Sequence, residues 1–331
     1  MNERRSGMIA VTGAAGFIGS NIVWELNRRG RRDLLVVDVH DSDADNANLA
    51  PLDYELYLDK EAFLAWLDQP ENVGRLETVY HLGACSSTTE TDADFLDRNN
   101  FGYTRNLCRA CLAAGTRFIN ASSAATYGDG SQGYDDDDGA IQDLKPLNLY
   151  AKSKQDFDLW ARAEGVLDRI VCLKYFNVYG PNEWHKGDMR SMVCKGYEQV
   201  VAEGGVRLFK SDRPEFPDGG QQRDFIYVKN AVDITLWFAG QPNLGGIFNV
   251  GTGQANDWNR LMTAIFTALG KDPRIEYVPM PEHLRGKYQY HTEAKMEKLR
   301  AAGYGRPFTV LEDAVADYVQ SFLATGLHLG Q

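Results

Sequence analysis

The chain has 331 residues, of which 44% are hydrophobic and 11% aromatic, a composition typical of a packed globular protein rather than a disordered one. Its 35 Lys and Arg residues against 46 Asp and Glu residues give a net charge of −11. Such an acidic balance argues against binding to nucleic-acid backbones or to anionic membranes, so we expect neither partner.

The cysteines and the N-terminal residues indicate the cellular compartment of the protein. Five cysteines are an odd, sparse set for a chain of this length, which suits a reducing cytosol better than a disulfide framework. The first residues show no signal-peptide pattern, and no apolar run approaches the roughly 20 residues of a membrane helix. We therefore expect a cytoplasmic protein. Cys108 and Cys111 form a C-x-x-C with helical periodicity, which predicts a buried helix face rather than a zinc or redox site.

Short apolar runs alternate with amphipathic segments of helix length through the first half of the chain. The predicted strands are MIAVTG, DLLVVDV, ETVYHLGA, TRFINASS and RIVCLKYFNV. The predicted helices are NIVWELNRRG, EAFLAWL, NNFGYTRNLCRACLAAG and DFDLWARAEG. This alternation at βαβ spacing predicts an α/β fold of the Rossmann type, a doubly wound parallel sheet with helices on both faces.

From about Gly180 the sequence becomes rich in glycine, proline and irregular stretches, with later helices predicted near WNRLMTAIFTALG and VLEDAVADYVQSFLA. We predict a Rossmann domain of residues 1–175 plus about 222–250, and a smaller α/β substrate-binding domain of about 176–221 plus 251–331. The four aspartates of GYDDDDGAIQDL are interpreted as a solvated loop, since they lack ligand-spaced partners, and no metal site is predicted.

A glycine-rich turn follows the first predicted strand. Gly13, Gly16 and Gly19 in VTGAAGFIGSN have G-x-x-G-x-x-G spacing at the start of a helix, which lets the backbone approach a pyrophosphate at the positive helix end. Asp38 closes the second strand; a carboxylate there accepts hydrogen bonds from an adenosine ribose and repels a 2′-phosphate. The sequence thus predicts an NAD(P) site and favours NAD over NADP, although Lys60 could still reach a phosphate.

A tyrosine and a lysine in LNLYAKSKQDF indicate proton transfer. Tyr150 and Lys154 are four residues apart, so on a helix they share a face, while Lys152 points elsewhere. A tyrosine base requires a pKa lowered by about three units, roughly 4 kcal/mol of phenolate stabilisation. An adjacent ammonium and an oxidised nicotinamide are suitable sources, and Lys154 can also hold the nicotinamide ribose. Ser123, at the end of a predicted strand, could hydrogen-bond the reacting oxygen.

With the glycine turn and ASSAATYG upstream, these residues resemble the extended short-chain dehydrogenase/reductase family, whose nucleotide-sugar members carry this Ser–Tyr–Lys set. Dehydratases of that family usually have an Asp-Glu pair where this chain has Ala124, Ala125 and Thr126. A dehydratase is therefore not expected.

An enzyme that inverts a carbinol centre needs either a substrate that turns over in the site or a second acid/base. KYFNVYGPNEWHKGDMRSM offers Lys186 and His185. Burial and neighbouring cations can lower a lysine pKa into the working range, so Lys186 is the candidate second base. From spacing alone, a solvated loop lysine is the simpler interpretation.

Several longer stretches resemble the ADP-L-glycero-D-manno-heptose 6-epimerase family over nearly the whole chain. The most specific are HLGACSSTTETD, YFNVYGPNEWHKGDM and LRGKYQYHTEAKMEKLRAAGY. The resemblance implies oxidation of the C6″ alcohol of ADP-heptose with bound NADP⁺ and return of hydride to the opposite face. It also implies a product used for lipopolysaccharide, and a homo-oligomer.

The resemblance also implies roles for individual positions. Tyr150 and Lys186 would serve the two faces of the reacting carbon, Lys154 would support the tyrosine and the ribose, and Ser123 would position the oxygen. Further cofactor contacts map to Phe17, Ile18, Asp38, Lys60, Ala84, Cys85, Ser86, Asn99 and Val178. Substrate contacts map to Asn177, Phe209, Arg223 and Tyr288, besides Ser123 and Lys186. Arg223 would bind the pyrophosphate.

The chain departs from the family pattern at Leu82, Asp45, Asp188 and Lys195, and SDRPEFPDGGQQ lengthens the loop before Arg223. Two alternatives stay open at this point. One is a 4-epimerase of a UDP-hexose type, which rotates its keto sugar over a single tyrosine and has no need of Lys186. The other is a non-catalytic nucleotide-sugar or NAD(P) sensor.

Overall fold

The computed structural model describes residues 7–39, 47–282, 285 and 288–331. Seven parallel strands form the main sheet, namely β1 Met8–Thr12, β2 Leu34–Asp38, β3 Leu56–Asp59, β4 Leu76–His81, β5 Arg117–Ser123, β6 Val171–Tyr175 and β10 Gly246–Val250. Their order across the sheet is β10-β6-β5-β4-β1-β2-β3. The predicted doubly wound parallel sheet is confirmed.

The middle of the sheet explains the unbroken apolar runs in the sequence. All five residues of β1 are buried, because helices cover both faces of a parallel sheet and alternation is then lost. Val11 pairs with Val36 of β2 on one side and with Tyr80 of β4 on the other. The strand order reverses at β1, and ligands of such sheets bind in the crevice at that switch point.

The longer helices largely follow the predicted segments. The described chain includes the helices α1 Phe17–Arg28, α2 Lys60–Leu67, α3 Pro70–Val73, α4 Ala93–Leu96, α5 Tyr103–Ala114, α6 Leu149–Ala163, α7 Met192–Glu203, α8 Val228–Trp237, α9 Trp258–Ala268, α10 Glu297–Ala301 and α11 Leu311–Tyr318. Cys108 and Cys111 are both fully buried on α5, as predicted. Across the described ranges, every helix is too short or too polar to cross a membrane.

Two small sheets lie outside the main one. Three strands, β7 Asn177–Tyr179, β9 Gln222–Tyr227 and β11 Ala255–Asp257, form one sheet, and β8 Val206–Phe209 pairs with β12 Ile275–Val278. Residues 222–227 thus pair with the small sheet, and the chain returns to the main sheet at β10. The division into a Rossmann domain of 1–175 plus about 222–250 and a second domain stays a prediction.

The four-aspartate loop differs from the predicted solvated loop. Asp136 is only 2% exposed and accepts the backbone N–H of Asn249 at 2.8 Å, while Asp138 accepts that of Ile247 at 2.8 Å. These N–H groups lie on the free side of β10, the edge strand. The two carboxylates thereby satisfy amides that an exposed edge would leave open. The two carboxylates are two residues apart, as are the two N–H groups that they accept, and this shared spacing was the signal in the sequence.

Candidate active site

The glycine-rich turn joins β1 to α1 at the switch point. Gly13 has φ +65°, and a Cβ on it would lie 2.7 Å from the backbone nitrogen of Gly83. A Cβ on Gly19 would lie 1.9 Å from the Gly13 carbonyl oxygen. Gly16 is the N-cap of α1 and has no side chain to occupy the first amides of the helix. The turn therefore presents close backbone and free N–H groups, as a pyrophosphate requires.

Asp38 and Lys60 lie along the same crevice. The Asp38 carboxylate accepts the N–H of Ala15 at 2.7 Å and that of Val39 at 2.8 Å, which fixes it beside the glycine turn. The Lys60 ammonium donates to Asn99 at 2.7 Å. The loop that follows Val39, including the departure at Asp45, lies outside the described residues.

The Ser–Tyr–Lys set comes together where β5 and α6 meet. The side chain of Asn148 caps α6 by accepting the N–H of Ala151 at 2.8 Å, which sets Tyr150 in the first turn. The hydroxyl of Ser123, at the end of β5, accepts the N–H of Ala125 at 3.1 Å and faces the phenol of Tyr150, whose pKa it lowers. The Lys154 ammonium, almost fully buried, donates to the carbonyl of Ala121 at 2.8 Å.

The direction of the Tyr150 pKa bears on its role as a proton donor or base. Burial raises the pKa of this half-buried phenol, and the nearby Ser123 hydroxyl only partly opposes the rise. The Lys154 ammonium is directed to the backbone carbonyl of Ala121. Burial also lowers the pKa of Lys154 to about 8, against the charge of Asp158.

A buried ion pair below this set was missed from the sequence. Lys174 lies 3.2 Å from Asp158, and both side chains are fully buried. Ser122 donates to the same Asp158 oxygen at 2.8 Å, and Lys174 also donates to Thr126. A lysine inside an apolar strand and an aspartate one turn after Lys154 were the signals for it.

Lys186 lies in a short 3-10 turn, Trp184–Met189, after β7. Its amine sits 5.2 Å from the ring centroid of Phe17, the first residue of α1. The side chain is half-buried rather than solvated. Burial lowers the pKa of Lys186, and the charge of the buried Glu183 opposes that shift.

These elements surround one cleft of about 1030 Å³. The cleft is lined by all the predicted cofactor positions and by three of the six predicted substrate positions, namely Gly13, Gly16, Phe17, Ile18, Gly19, Asp38, Lys60, Ala84, Cys85, Ser86, Asn99, Ser123, Tyr150, Lys154, Asn177, Val178 and Lys186. The departure Leu82 lines it too. Lining residues that the sequence analysis missed include Met189, Ser191, Phe225 and Trp258, which carried no spacing signal. His185, which the sequence analysis named beside Lys186, lines the cleft as well.

The remaining substrate positions form a separate aromatic cluster. The guanidinium of Arg223 lies 5.2 Å from the ring centroid of Tyr288 and 5.8 Å from that of Trp258. Phe209 meets Tyr288 edge to face at 6.2 Å. Trp258, which also lines the cleft, connects the two regions.

Two departures from the family pattern contact each other outside the cleft lining. The Lys195 ammonium donates to the backbone carbonyl of Asp188, and the Asp188 side chain is exposed. Neither residue lines the cleft among the described residues.

Known proteins match both the sequence and the fold. The model of the NAD dependent epimerase/dehydratase family matches residues 9–251. ADP-L-glycero-D-manno-heptose-6-epimerase from Nitratidesulfovibrio vulgaris (strain DP4) is 55% identical over 317 residues, 96% of this chain and 98% of that protein. The crystal structure of the Helicobacter pylori enzyme of the same name has a TM-score of 0.77 at 26% identity, covering 96% of this chain and 97% of that one. UDP-glucose 4-epimerase from Thermus thermophilus, in complex with NAD, has a TM-score of 0.69 at 27% identity, covering 96% and 99%.

The parallel sheet, the glycine turn and the Ser–Tyr–Lys set are those of an epimerase that uses a nicotinamide dinucleotide, and the chain belongs to the NAD-dependent epimerase/dehydratase family. Within this family its place is among the ADP-L-glycero-D-manno-heptose-6-epimerases, because the 55% identity extends over nearly the full length of both chains.

Proposed function

We propose that this chain interconverts ADP-D-glycero-D-manno-heptose and ADP-L-glycero-D-manno-heptose at C6″ by transient oxidation, with two different residues handling the proton. The observation that carries the proposal is that Tyr150 and Lys186, supplied by different elements, line one cleft with the dinucleotide turn. The name and the extent of the Nitratidesulfovibrio vulgaris relative support the choice of sugar.

The bound dinucleotide supplies the oxidant that takes hydride from the carbinol carbon and later returns it. The glycine turn would hold its pyrophosphate against the first amides of α1, and Lys154 would hold the nicotinamide ribose. Asp38 favours NAD over NADP, because a carboxylate fixed beside the turn repels a 2′-phosphate. The resemblance to the epimerase family implies NADP instead, so the identity of the bound dinucleotide decides between the two.

Tyr150 and Ser123 would act on the hydroxyl or carbonyl oxygen from the α6 side of the cleft. Since burial raises the pKa of Tyr150, the neutral phenol is a proton donor to the oxygen when the alcohol is re-formed. To act as a base it needs positive charge nearby, which an oxidised nicotinamide carries.

Lys186 would serve the other epimer. Burial lowers the pKa of its amine, which raises the fraction of neutral amine able to accept the hydroxyl proton. Two acid/base groups let hydride leave one epimer and return to form the other, provided that the keto sugar can offer either face to the nicotinamide.

The test is NMR of the purified protein with ADP-D-glycero-D-manno-heptose and no added cofactor, followed by mass spectrometry of the dinucleotide released on denaturation. We expect conversion to the L-glycero epimer and release of NAD. Lys186→Ala and Tyr150→Phe should each slow conversion by about 10² to 10⁴, the usual contribution of one general acid or base. Lys152→Ala is the matched control, because Lys152 is exposed and pairs with Asp156 at 2.6 Å.

Other outcomes point to the alternatives. A mild effect of Lys186→Ala together with a severe effect of Tyr150→Phe would favour a 4-epimerase that rotates its substrate over one tyrosine. Bound dinucleotide without conversion of any nucleotide sugar would favour a sensor. Release of NADP would overturn the argument from Asp38 and leave the reaction unchanged.

A further inference from the structure

The segment 325–331 reaches back to the loop that carries Lys186. The ring nitrogen Nδ1 of His328 lies 2.8 Å from the amide oxygen of Asn48. The next residue, Leu329, is 2% exposed and donates its backbone N–H to the side chain of Asn182 at 3.1 Å. Two consecutive residues of this segment therefore bind two buried asparagines.

Asn48 connects three parts of the chain. Its amide nitrogen lies 2.9 Å from the carbonyl oxygen of Ala15 in the glycine turn and 3.1 Å from that of Asn182. It also lies 3.2 Å from Nδ1 of His185. Because both carbonyls can only accept, the nitrogen must face them, and the amide oxygen must face His328. His328 Nδ1 therefore carries the proton of that bond.

Asn182 sets the course of the loop. It has φ +73° and is the one non-glycine residue of the described chain with positive φ. Its fully buried side chain donates to Ser20 of α1 at 3.0 Å and accepts from Leu329. Asparagine tolerates the left-handed region better than most residues, and strain of this kind persists where the surroundings hold it. The direction of the chain toward His185 and Lys186 is fixed here.

The same network reaches the amine of Lys186. Asn21 of α1 donates to the carbonyl of Pro181 at 3.0 Å and to that of Phe17 at 2.8 Å. The Lys186 amine lies over the Phe17 ring. The loop is therefore bound to α1 on one side and to segment 325–331 on the other.

We propose that His328 and Asn182 are positioning residues for Lys186: together with Asn48 they hold its loop so that the amine meets the reacting oxygen beside the dinucleotide turn. This inference rests on the proposed two-base function. A displacement of about 1 Å at an acid/base group can cost on the order of 10²-fold in rate, so loss of one of these bonds should act on kcat rather than on substrate binding.

The test combines steady-state kinetics with single-turnover reduction of the bound dinucleotide, using each epimer separately. For His328→Ala we expect kcat to fall about 10-fold, KM to stay within about twofold, and dinucleotide content to stay unchanged. Reduction should slow with only one of the two epimers, the same one that Lys186→Ala affects. His328→Asn should restore most of the rate, because its amide N–H can replace Nδ1–H. Leu327→Ala is the matched control, since Leu327 is 42% exposed and adjacent to His328.

The outcomes separate this inference from the function it rests on. If Lys186→Ala slows reduction equally with both epimers, the two-base function fails, and this proposal fails with it. If Lys186→Ala separates the epimers but His328→Ala slows both equally or neither, only the positioning role is overturned. Asn182→Gly provides a second variant should His328→Ala unfold, because glycine keeps the φ of +73° while losing both side-chain bonds. It should show the same asymmetry between the epimers.

Discussion

Burial acts on the two proton-handling side chains in complementary ways. It raises the pKa of the Tyr150 phenol and lowers the pKa of the Lys186 amine, so each group is shifted toward its neutral form. A neutral amine accepts a proton and a neutral phenol donates one. The same cleft thereby prepares one base and one acid, and reversal of the reaction exchanges their roles.

Asp136 offers a pH test at the scale of one residue. Burial raises its pKa to about 6, above the ordinary value near 3.9 of an unfolded chain. The folded protein therefore prefers the protonated carboxyl, and the contribution of Asp136 to stability falls as pH rises from about 4 to about 7. We expect the difference in unfolding free energy between wild type and Asp136→Asn to fall by up to roughly 3 kcal/mol over that range. Urea unfolding at several pH values measures it.

The other carboxyl groups titrate in both the wild type and Asp136→Asn, so their contributions cancel in the difference between the two unfolding free energies. Asparagine keeps an oxygen that can accept the N–H of Asn249. Asp137→Asn is the matched control, because Asp137 is exposed in the same loop. A stability difference that stays constant or rises with pH for Asp136→Asn would contradict the buried carboxyl as the cause.

At the scale of elements, sequence reasoning succeeded where one local rule decides. Gly13 and Gly19 sit where a Cβ would strike the backbone, and Tyr150 and Lys154 lie on one helix, so spacing alone predicted both features. The Lys174–Asp158 pair joins β6 to α6, and Asn182 takes its φ from distant partners. Such features depend on contacts between elements, which no periodicity in the sequence encodes.

Two glycines allow the cost of a positive φ to be distinguished from the cost of a steric clash at the turn between β1 and α1. Gly13 and Gly30 have φ of +65° and +83°, but a Cβ would strike Gly83 only from Gly13, and at Gly30 it meets nothing within 4 Å. Gly30→Ala should cost roughly 1 kcal/mol in unfolding free energy and keep the bound dinucleotide. Gly13→Ala should lose most of the dinucleotide, measured by absorbance and mass of the material released on denaturation. Equal retention in both variants would show that the close approach at Gly13 is not needed for binding.

At the scale of the whole molecule, the cleft lies where the main sheet meets the three-stranded sheet. β7 carries Asn177 to the cleft, and its neighbour β9 carries Arg223 to the aromatic cluster. Arg223 is 7% exposed and donates to the carbonyl of Gln222 at 2.7 Å. Within residues 7–39, 47–282, 285 and 288–331 it forms no ion pair, and burial lowers its pKa. A buried cation without a counter-charge costs stability, which an anionic ligand can offset.

Arg223→Met should therefore change stability in opposite directions with and without nucleotide. Without nucleotide, we expect the free energy of unfolding of the variant to equal that of the wild type or to exceed it by about 1 kcal/mol. The reason is that a buried unpaired charge is replaced by an apolar side chain of similar length. ADP at about 100 times its Kd should stabilise the wild type by about 2.7 kcal/mol and the variant far less. Thermal unfolding of protein that retains its dinucleotide measures both effects.

Two further results locate the effect at the ADP end of the substrate. The content of bound dinucleotide should be equal in wild type and Arg223→Met, since Arg223 does not line the part of the cleft beside the glycine turn. Arg260→Met is the matched control, because Arg260 is half-exposed and paired with Glu312 at 2.7 Å, so its loss should leave the effect of ADP intact. If Arg223→Met is destabilised without nucleotide and is still fully protected by ADP, the guanidinium is a structural group of β9, and the pyrophosphate must bind elsewhere.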